Sequence, residues 1–170
     1  MELWDVYDAE RRPLNKTHVR GVPMRHGEYH VAVFVWIFNN AGQVLLTKRS
    51  PEKQNSPNLW ALTGGAVLAG ETSLQAIRRE LREETGICAE ETDFSLLTTV
   101  RVSSRSYFSD LYLLKREVDL ADIVLQAGET CDAKWVSRAE FERMAAGGEI
   151  AAPDVQRYDS LRVYFAEVFR

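Results

Sequence analysis

Several things are scarce in this sequence, and each scarcity narrows its role. There are only two cysteines, Cys88 and Cys131, far apart and at no zinc or redox spacing. That excludes a disulfide framework and a cysteine zinc site, and two unpaired thiols point to a reducing, cytoplasmic setting. Positive charge is not in excess: 21 Lys and Arg stand against 25 Asp and Glu, a net charge of −4. The chain therefore lacks the basic stripe of a protein that binds nucleic acid or an anionic membrane. Long apolar runs are missing too. The longest, Val31 to Phe38, is far too short to span a bilayer, and the start "MELWDVYDAERRP" does not have the basic-then-apolar order of a signal peptide. With 10 glycines and 5 prolines in 170 residues, and no repeat or low-complexity tract, the composition is that of an ordinary folded protein. Its length suits a single domain over 1–170 with a real core, residues 1–28 forming a lead-in.

What is present is a succession of strand and helix signals. "LWDVYD" predicts a short strand running into the turn-prone "DAERRPLN", and Lys16 to Glu28 an irregular lead-in. "YHVAVFVWIF" is rich in β-branched and aromatic residues and predicts a buried strand; "NNAG" turns it back into "QVLLTKR". "SPEKQNSPNLW" is a surface loop, and "ALTGG" a short strand ending in glycines. Leu74, Ile77 and Leu81 recur at helical spacing between Thr72, a candidate N-cap, and Gly86, a candidate stop. "FSLLTTVRV" and "SYFSDLYLLKREV" predict a strand pair, and "DAKWVS" another strand, with Ser137 capping a helix over Arg138 to Ala146. Apolar residues at Val155, Tyr158, Leu161, Phe165 and Val168 predict a terminal helix from about Asp154 to Phe169. Strands on both sides of a central helix, with helices at the end, give an α/β (α+β) fold with a mixed sheet between helical layers.

The central helix carries an anomaly. Residues turn by roughly 100° along a helix, so with Glu80 at zero, Glu84 lies about 40° to one side and Glu83 about 60° to the other. All three carboxylates share one arc, and Ile77 at about 60° places the buried stripe directly beside Glu84. Arg78 and Arg82 point away. A solvated helix laced with ion pairs is the plainer reading, and Arg79 with Glu83 fits it at i, i+4. Yet Glu80 and Glu84, and Glu80 and Glu83, are like-charge pairs at contact spacing, each costing about 0.2–0.5 kcal/mol. A compensating divalent cation resolves the conflict, and an all-carboxylate cluster suits a hard ion such as Mg²⁺. Gly64 and Gly65 ahead of the helix let the backbone approach a ligand, while Glu71 is better placed to anchor the loop by pairing with Arg79.

The pattern Gly65, Glu71, Arg79-Glu80-Leu81, Glu83-Glu84, Gly86-Ile87 resembles the complete signature of the Nudix hydrolases. Seven fixed identities and two aliphatic positions arise by chance on the order of once in 10⁷ chains of this length. The resemblance implies the family's α/β/α sandwich and hydrolysis of a diphosphate in a nucleoside diphosphate linked to another moiety, with Mg²⁺ or Mn²⁺. It implies Glu80 and Glu84 as metal ligands, Glu83 as a further or water-bridged ligand, the carbonyl of Gly64 as another, and Arg79 as the residue that orients the glutamates. The base that takes the water's proton varies in this family. Glu83 or Glu84 on the helix is one kind of candidate, Glu129 in the loop before "DAKWVS" another, and Asp110 inside "SYFSDLYLL" a weaker one. The expected partner is a small diphosphate substrate, with neither nucleic acid nor membrane; a homodimer is admitted by analogy with relatives alone.

Outside the signature, "WDVYD", "GEYHVAVFVWIFN" and "KRSPEK…NLW" resemble the branch that includes the isopentenyl diphosphate isomerases. Those enzymes use a cysteine shortly after the tryptophan matched by Trp60, whereas this chain has Thr63 and Gly64 there, and a hydroxyl is a poorer proton donor and acceptor than a thiol. A hydrolase on the isomerase-like branch is the expectation, an isomerase the alternative. A non-catalytic nucleotide-binding module is a third reading, opposed by the intact Glu80, Glu83 and Glu84. Candidates for reading the rest of the substrate are Trp60, Tyr107 and Phe108 for stacking, and Arg101 and Arg105 for phosphate.

Overall fold

The computed structural model describes residues 1–166, 168 and 169. Among the described residues six strands, β1 (Leu3–Tyr7), β2 (Pro13–Val19), β3 (His30–Phe38), β4 (Val44–Arg49), β5 (Trp60–Ala61) and β6 (Thr63–Ala66), precede the helix α1 (Ser73–Thr85); three more, β7 (Phe94–Val102), β8 (Tyr107–Lys115) and β9 (Thr130–Val136), follow it and lead into the helices α2 (Arg138–Ala146) and α3 (Ala152–Leu161). The larger sheet has the order β5-β4-β3-β8-β7, with β6 added on β3 and β9 on β4. This is the mixed α+β architecture expected from the sequence. The chain groups into two compact units: Met1–Val35 with Gly64–Glu80 and Ala89–Leu113, and Trp36–Thr63 with Leu81–Cys88 and Leu114–Arg170.

In the first unit, the lead-in is more ordered than its composition suggests. Asp8 accepts the backbone N–H groups of Glu10 and Arg12 at 3.0 and 2.8 Å, a side-chain-built turn, and the chain reverses so that Leu3 faces Val19, Trp4 faces His18 and Asp5 faces Thr17. The irregular stretch expected from Lys16 therefore begins only after Val19. Pro13 is tolerated because it opens the strand, where a missing donor costs least. Backbone bonds of 2.8 and 2.9 Å join Tyr7 to Tyr29, and Trp4 stacks on His30 with centroids 4.0 Å apart. The core here gathers Val6, Tyr29, Val31, Val33, Ile77, Phe94, Phe108 and Tyr112.

Helix α1 starts and stops as its local signals demand. Thr72 Oγ1 accepts from the Gln75 N–H at 3.2 Å while the Thr72 N–H donates to Gln75 Oε1 at 2.9 Å, a reciprocal cap. Gly86, with φ of 73°, takes the left-handed conformation that ends the helix.

In the second unit, Asn39 closes the β3–β4 turn through Gln43, and β4 pairs antiparallel with both β5 and β9. The core is aromatic: Trp36 lies 4.6 Å from Phe165 and 5.7 Å from Phe141, and Phe141 lies 4.8 Å from Tyr158. Ser137 caps α2 by accepting from the Glu140 N–H. The terminal helix is shorter than its apolar spacing predicts: α3 ends at Leu161, and Phe165 reaches Trp36 from a 3-10 turn over Tyr164–Ala166.

Candidate active site

The sequence signature spreads over one loop and one helix, and the loop is tied down first. Glu71 accepts two hydrogen bonds from Arg79, Nε to Oε1 at 2.8 Å and Nη2 to Oε2 at 2.9 Å, with Oε2 also accepting from the Leu68 N–H at 3.0 Å. Arg79 continues to Glu80 Oε1 at 2.7 Å and to the carbonyl of Ala66 at 3.0 Å. Its planar fork thus joins the loop, the end of β6 and the first glutamate of the acidic arc, a geometry lysine cannot reproduce. The pairing with Arg79 holds the Glu71 carboxyl below the usual carboxylate range, and the hydrogen bonds to Glu71 and then Glu80 push Arg79 still higher than an ordinary arginine.

The two glycines have different neighbours. A Cβ on Gly65 would lie 2.3 Å from Glu80 Oε1, whereas one on Gly64 would lie 2.1 Å from the Val33 carbonyl oxygen. Gly65 leaves room for a carboxylate; Gly64 leaves room for the neighbouring strand.

Further along α1, Glu83 is exposed and Glu84 is buried, only 8% exposed. Ile77 and Leu81 beside it are fully buried, so Glu84 stands at the edge of the apolar stripe, where helix geometry placed it. Thr130 Oγ1 donates to the Glu84 carbonyl at 3.2 Å. Glu129, the residue before Thr130, is ion-paired with Lys53, and its carbonyl accepts from the Ser50 N–H at 2.9 Å. Among the described residues, no three Asp, Glu, His or Cys side chains stand close enough together to enclose an ion as they are; Glu80 is turned onto the Arg79 guanidinium. The donor set is nonetheless of one kind, oxygen throughout, and the missing Cβ at Gly65 is what gives the Glu80 carboxylate its place beside the glycine pair; such a set fits a hard divalent cation.

Asp110 is not a free acid. It is 1% exposed and accepts from Arg11 Nη1 and Nη2 at 2.5 and 2.6 Å, from Ser73 Oγ at 2.5 Å and from Thr99 Oγ1 at 2.7 Å. Burial pushes its carboxyl up, but the bonds from Arg11, Ser73 and Thr99 outweigh this and leave it below the usual range. With its acceptor sites filled, Asp110 serves as a structural node and not as a base. Phe108 is buried with Tyr29, 5.3 Å between centroids, and so is core. Trp60 remains partly exposed, flanked by Lys134 at 4.6 Å and Lys48 at 5.9 Å. Arg101 is engaged with the Ala9 carbonyl at 2.7 Å. Arg11 and Asp5, whose contacts bear on the loop and on the start of α1, show nothing in their local sequence of those contacts, because their partners lie some sixty to a hundred positions away.

Comparison with known proteins bears on the family and the fold. The NUDIX domain family matches residues 28–155. An uncharacterized Nudix hydrolase of Listeria monocytogenes is 38% identical over 154 residues, 88% of either chain. An isopentenyl-diphosphate Delta-isomerase of Pectobacterium atrosepticum is 46% identical, but over 72 residues, 41% of this chain and 40% of its own. A Deinococcus radiodurans crystal structure superposes with a TM-score of 0.77 over 99% of this chain and 100% of its own, at 22% identity.

Proposed function

Because the chain belongs to the Nudix hydrolase family, we propose that it is a metal-dependent enzyme that cleaves the diphosphate of a nucleoside diphosphate linked to another moiety. The observation that carries this reading is the contact set around Arg79: one guanidinium holds Glu71, Glu80 and the Ala66 carbonyl, while the missing Cβ at Gly65 lets the Glu80 carboxylate pack directly against the backbone of the glycine pair.

In this reading Glu80, Glu83, Glu84 and the carbonyl of Gly64 hold Mg²⁺ or Mn²⁺. The bound ion would neutralise the diphosphate oxygens and make a bound water more acidic. Arg79 keeps Glu80 aimed and is itself held by Glu71. Water oxygen attacks one phosphorus, the bridging P–O bond breaks, and the second phosphate leaves with the bridging oxygen. The water's proton passes to a carboxylate: Glu83 or Glu84 on α1, or Glu129 on its loop, where Lys53 fixes it. By the resemblance to the isomerases, Thr63, buried at 1% exposure, and Gly64 stand in the region of their cysteine, and a hydroxyl is the poorer proton donor and acceptor, which favours hydrolysis over isomerisation. The proposal places the enzyme in the cytoplasm. Among the described residues no helix is long and apolar enough to cross a membrane, and Cys88 and Cys131 are exposed free thiols.

The test is product release from a panel of nucleoside diphosphate compounds together with isopentenyl diphosphate, with Mg²⁺ or EDTA, and with Glu84→Gln as the folded control. Cleavage of a nucleotide compound, lost in EDTA and reduced at least about 100-fold by the substitution, is the expected result. Cleavage that survives both would refute the metal face, and isomerisation without cleavage would move the assignment to the isomerases.

A further inference from the structure

We propose that the amino-terminal hairpin β1–β2 braces the Glu71–Arg79–Glu80 clamp, with Asp5 and Arg11 as positioning residues. Its catalytic consequence rests on the hydrolase reading above; the brace itself does not.

The hairpin grips the segment that carries Glu71 at both ends. On the loop side, the Ala69 N–H donates to the Leu3 carbonyl at 2.8 Å and the Gly70 N–H donates to Asp5 Oδ2 at 2.8 Å. These are the two residues just before Glu71. On the helix side, Arg11 makes a two-pronged pair with Asp110 at 2.5 and 2.6 Å, and Asp110 Oδ2 accepts from the hydroxyl of Ser73, the first residue of α1, at 2.5 Å. Tyr112 adds a bond to the same hydroxyl at 2.8 Å. Glu71 therefore sits between one anchor at Gly70 and another at Ser73, and passes its position through Arg79 to Glu80.

The anchoring hairpin is itself fixed. Trp4 stacks on His30 and Tyr7 is bonded to Tyr29 on the chain leading into β3. Arg11 adopts φ of 63°, a left-handed conformation that a long side chain takes only where its surroundings over-determine it. Here the Asp110 fork, the Thr99 hydroxyl at 3.2 Å and the Phe108 ring at 5.7 Å supply that determination. A hairpin serving only to cover apolar surface would need neither a carboxylate on the Gly70 N–H nor a strained arginine reaching the start of α1.

The test uses the full chain and reads the free protein first. Hydrogen exchange is followed in peptides covering 67–79 and, as an internal reference, 130–136, in wild type, Asp5→Ala, Asp5→Asn and Arg11→Lys. Asp5→Ala should speed exchange over 68–72 about tenfold or more without moving the reference, and Asp5→Asn, which keeps an acceptor oxygen, should restore most of the protection. Binding of Mn²⁺ alone, by water-proton relaxation, should weaken about tenfold in Asp5→Ala and in Arg11→Lys, in line with losing the support behind a metal ligand. On a cleaved substrate the loss should fall on kcat, with KM within about threefold. Unchanged exchange over 68–72 in Asp5→Ala overturns the brace, as does faster exchange spread equally over both peptides, which is what a merely structural role would produce. Wild type that neither binds Mn²⁺ nor cleaves any compound sinks the hydrolase reading, while the exchange result still decides the brace.

Discussion

Replacing Gly65 with alanine puts a methyl carbon 2.3 Å from Glu80 Oε1 and 2.5 Å from its Cδ. The backbone at Gly65 needs no left-handed conformation, so the added Cβ acts through this contact. Ordinary contact begins at 3.4 Å, so the carboxylate must retreat by about 1.1 Å, and a displacement of about 1 Å at a reacting centre costs roughly 100-fold in rate, or about 2.7 kcal/mol. Stability should hardly change. The retreat strains the Arg79–Glu80 pair, whose side chains are 23% and 15% exposed, worth about 1 kcal/mol or less. Losing a glycine's freedom in the unfolded chain returns about 0.4–1 kcal/mol. Gly64→Ala is the opposite case: its Cβ meets the Val33 carbonyl oxygen at 2.1 Å and Phe34 Cα at 2.9 Å, and backbone cannot swing aside. That overpacking should cost about 3 kcal/mol or more, some 6–12 °C in Tm. Steady-state kinetics and thermal melts of both variants separate the two effects. Gly65→Ala that keeps activity within threefold of wild type, or melts as low as Gly64→Ala, would refute the reading that the missing side chain makes room for the Glu80 carboxylate at Gly65 and for the neighbouring strand at Gly64.

Arg79→Lys keeps the charge but loses the fork that spans Glu71, Glu80 and Ala66, and should lower kcat by about 10–100-fold with a Tm within a few degrees of wild type; a normal kcat would contradict the clamp. Glu71 supplies a pH test. Its folded carboxyl lies below the 4.5 of an unperturbed glutamate, so its stabilisation is complete above that pH and is lost as pH falls through the folded value. The stability gap between wild type and Glu71→Gln, about 1–2 kcal/mol at neutral pH and read by thermal melts, should therefore close on acidification below pH 4.5, and a gap that widens there would reverse the sign. Asp154 is 3% exposed, accepts from Arg157 at 2.6 Å and from the Leu62 N–H at 3.1 Å, and is pushed up by burial. Removing this buried partner in Asp154→Ala should cost about 3–5 kcal/mol; a melt within about 2 °C of wild type would show the pair to be dispensable.

Much of this protein was legible as a string because the deciding interactions are local. The ends of α1 follow from Thr72 and Gly86, each within a turn of the helix it bounds. The shared arc of Glu80, Glu83 and Glu84 beside Ile77 follows from helical pitch. The turn at Asn39 and the cap at Ser137 are likewise short-range, and the signature from Gly65 to Ile87 is one contiguous stretch that carries the family by itself. What the sequence could not decide rests on partners far apart in the chain. β2 has little apolar content and exists because the Asp8 turn folds it onto β1. Asp110, a charged residue in an apolar strand, looked like an acid facing a cleft; only its enclosure by Arg11, Ser73 and Thr99, up to 99 positions away, makes it a node. The terminal apolar spacing predicted one helix to Phe169, but α3 stops at Leu161, and the chain brings Phe165 onto Trp36 from a 3-10 turn. Periodicity and capping act over one or two turns and can be read from neighbours in sequence. The filling of a buried carboxylate's acceptor sites and the closing of a core depend on which distant segments meet, and that is settled only when the whole chain has folded.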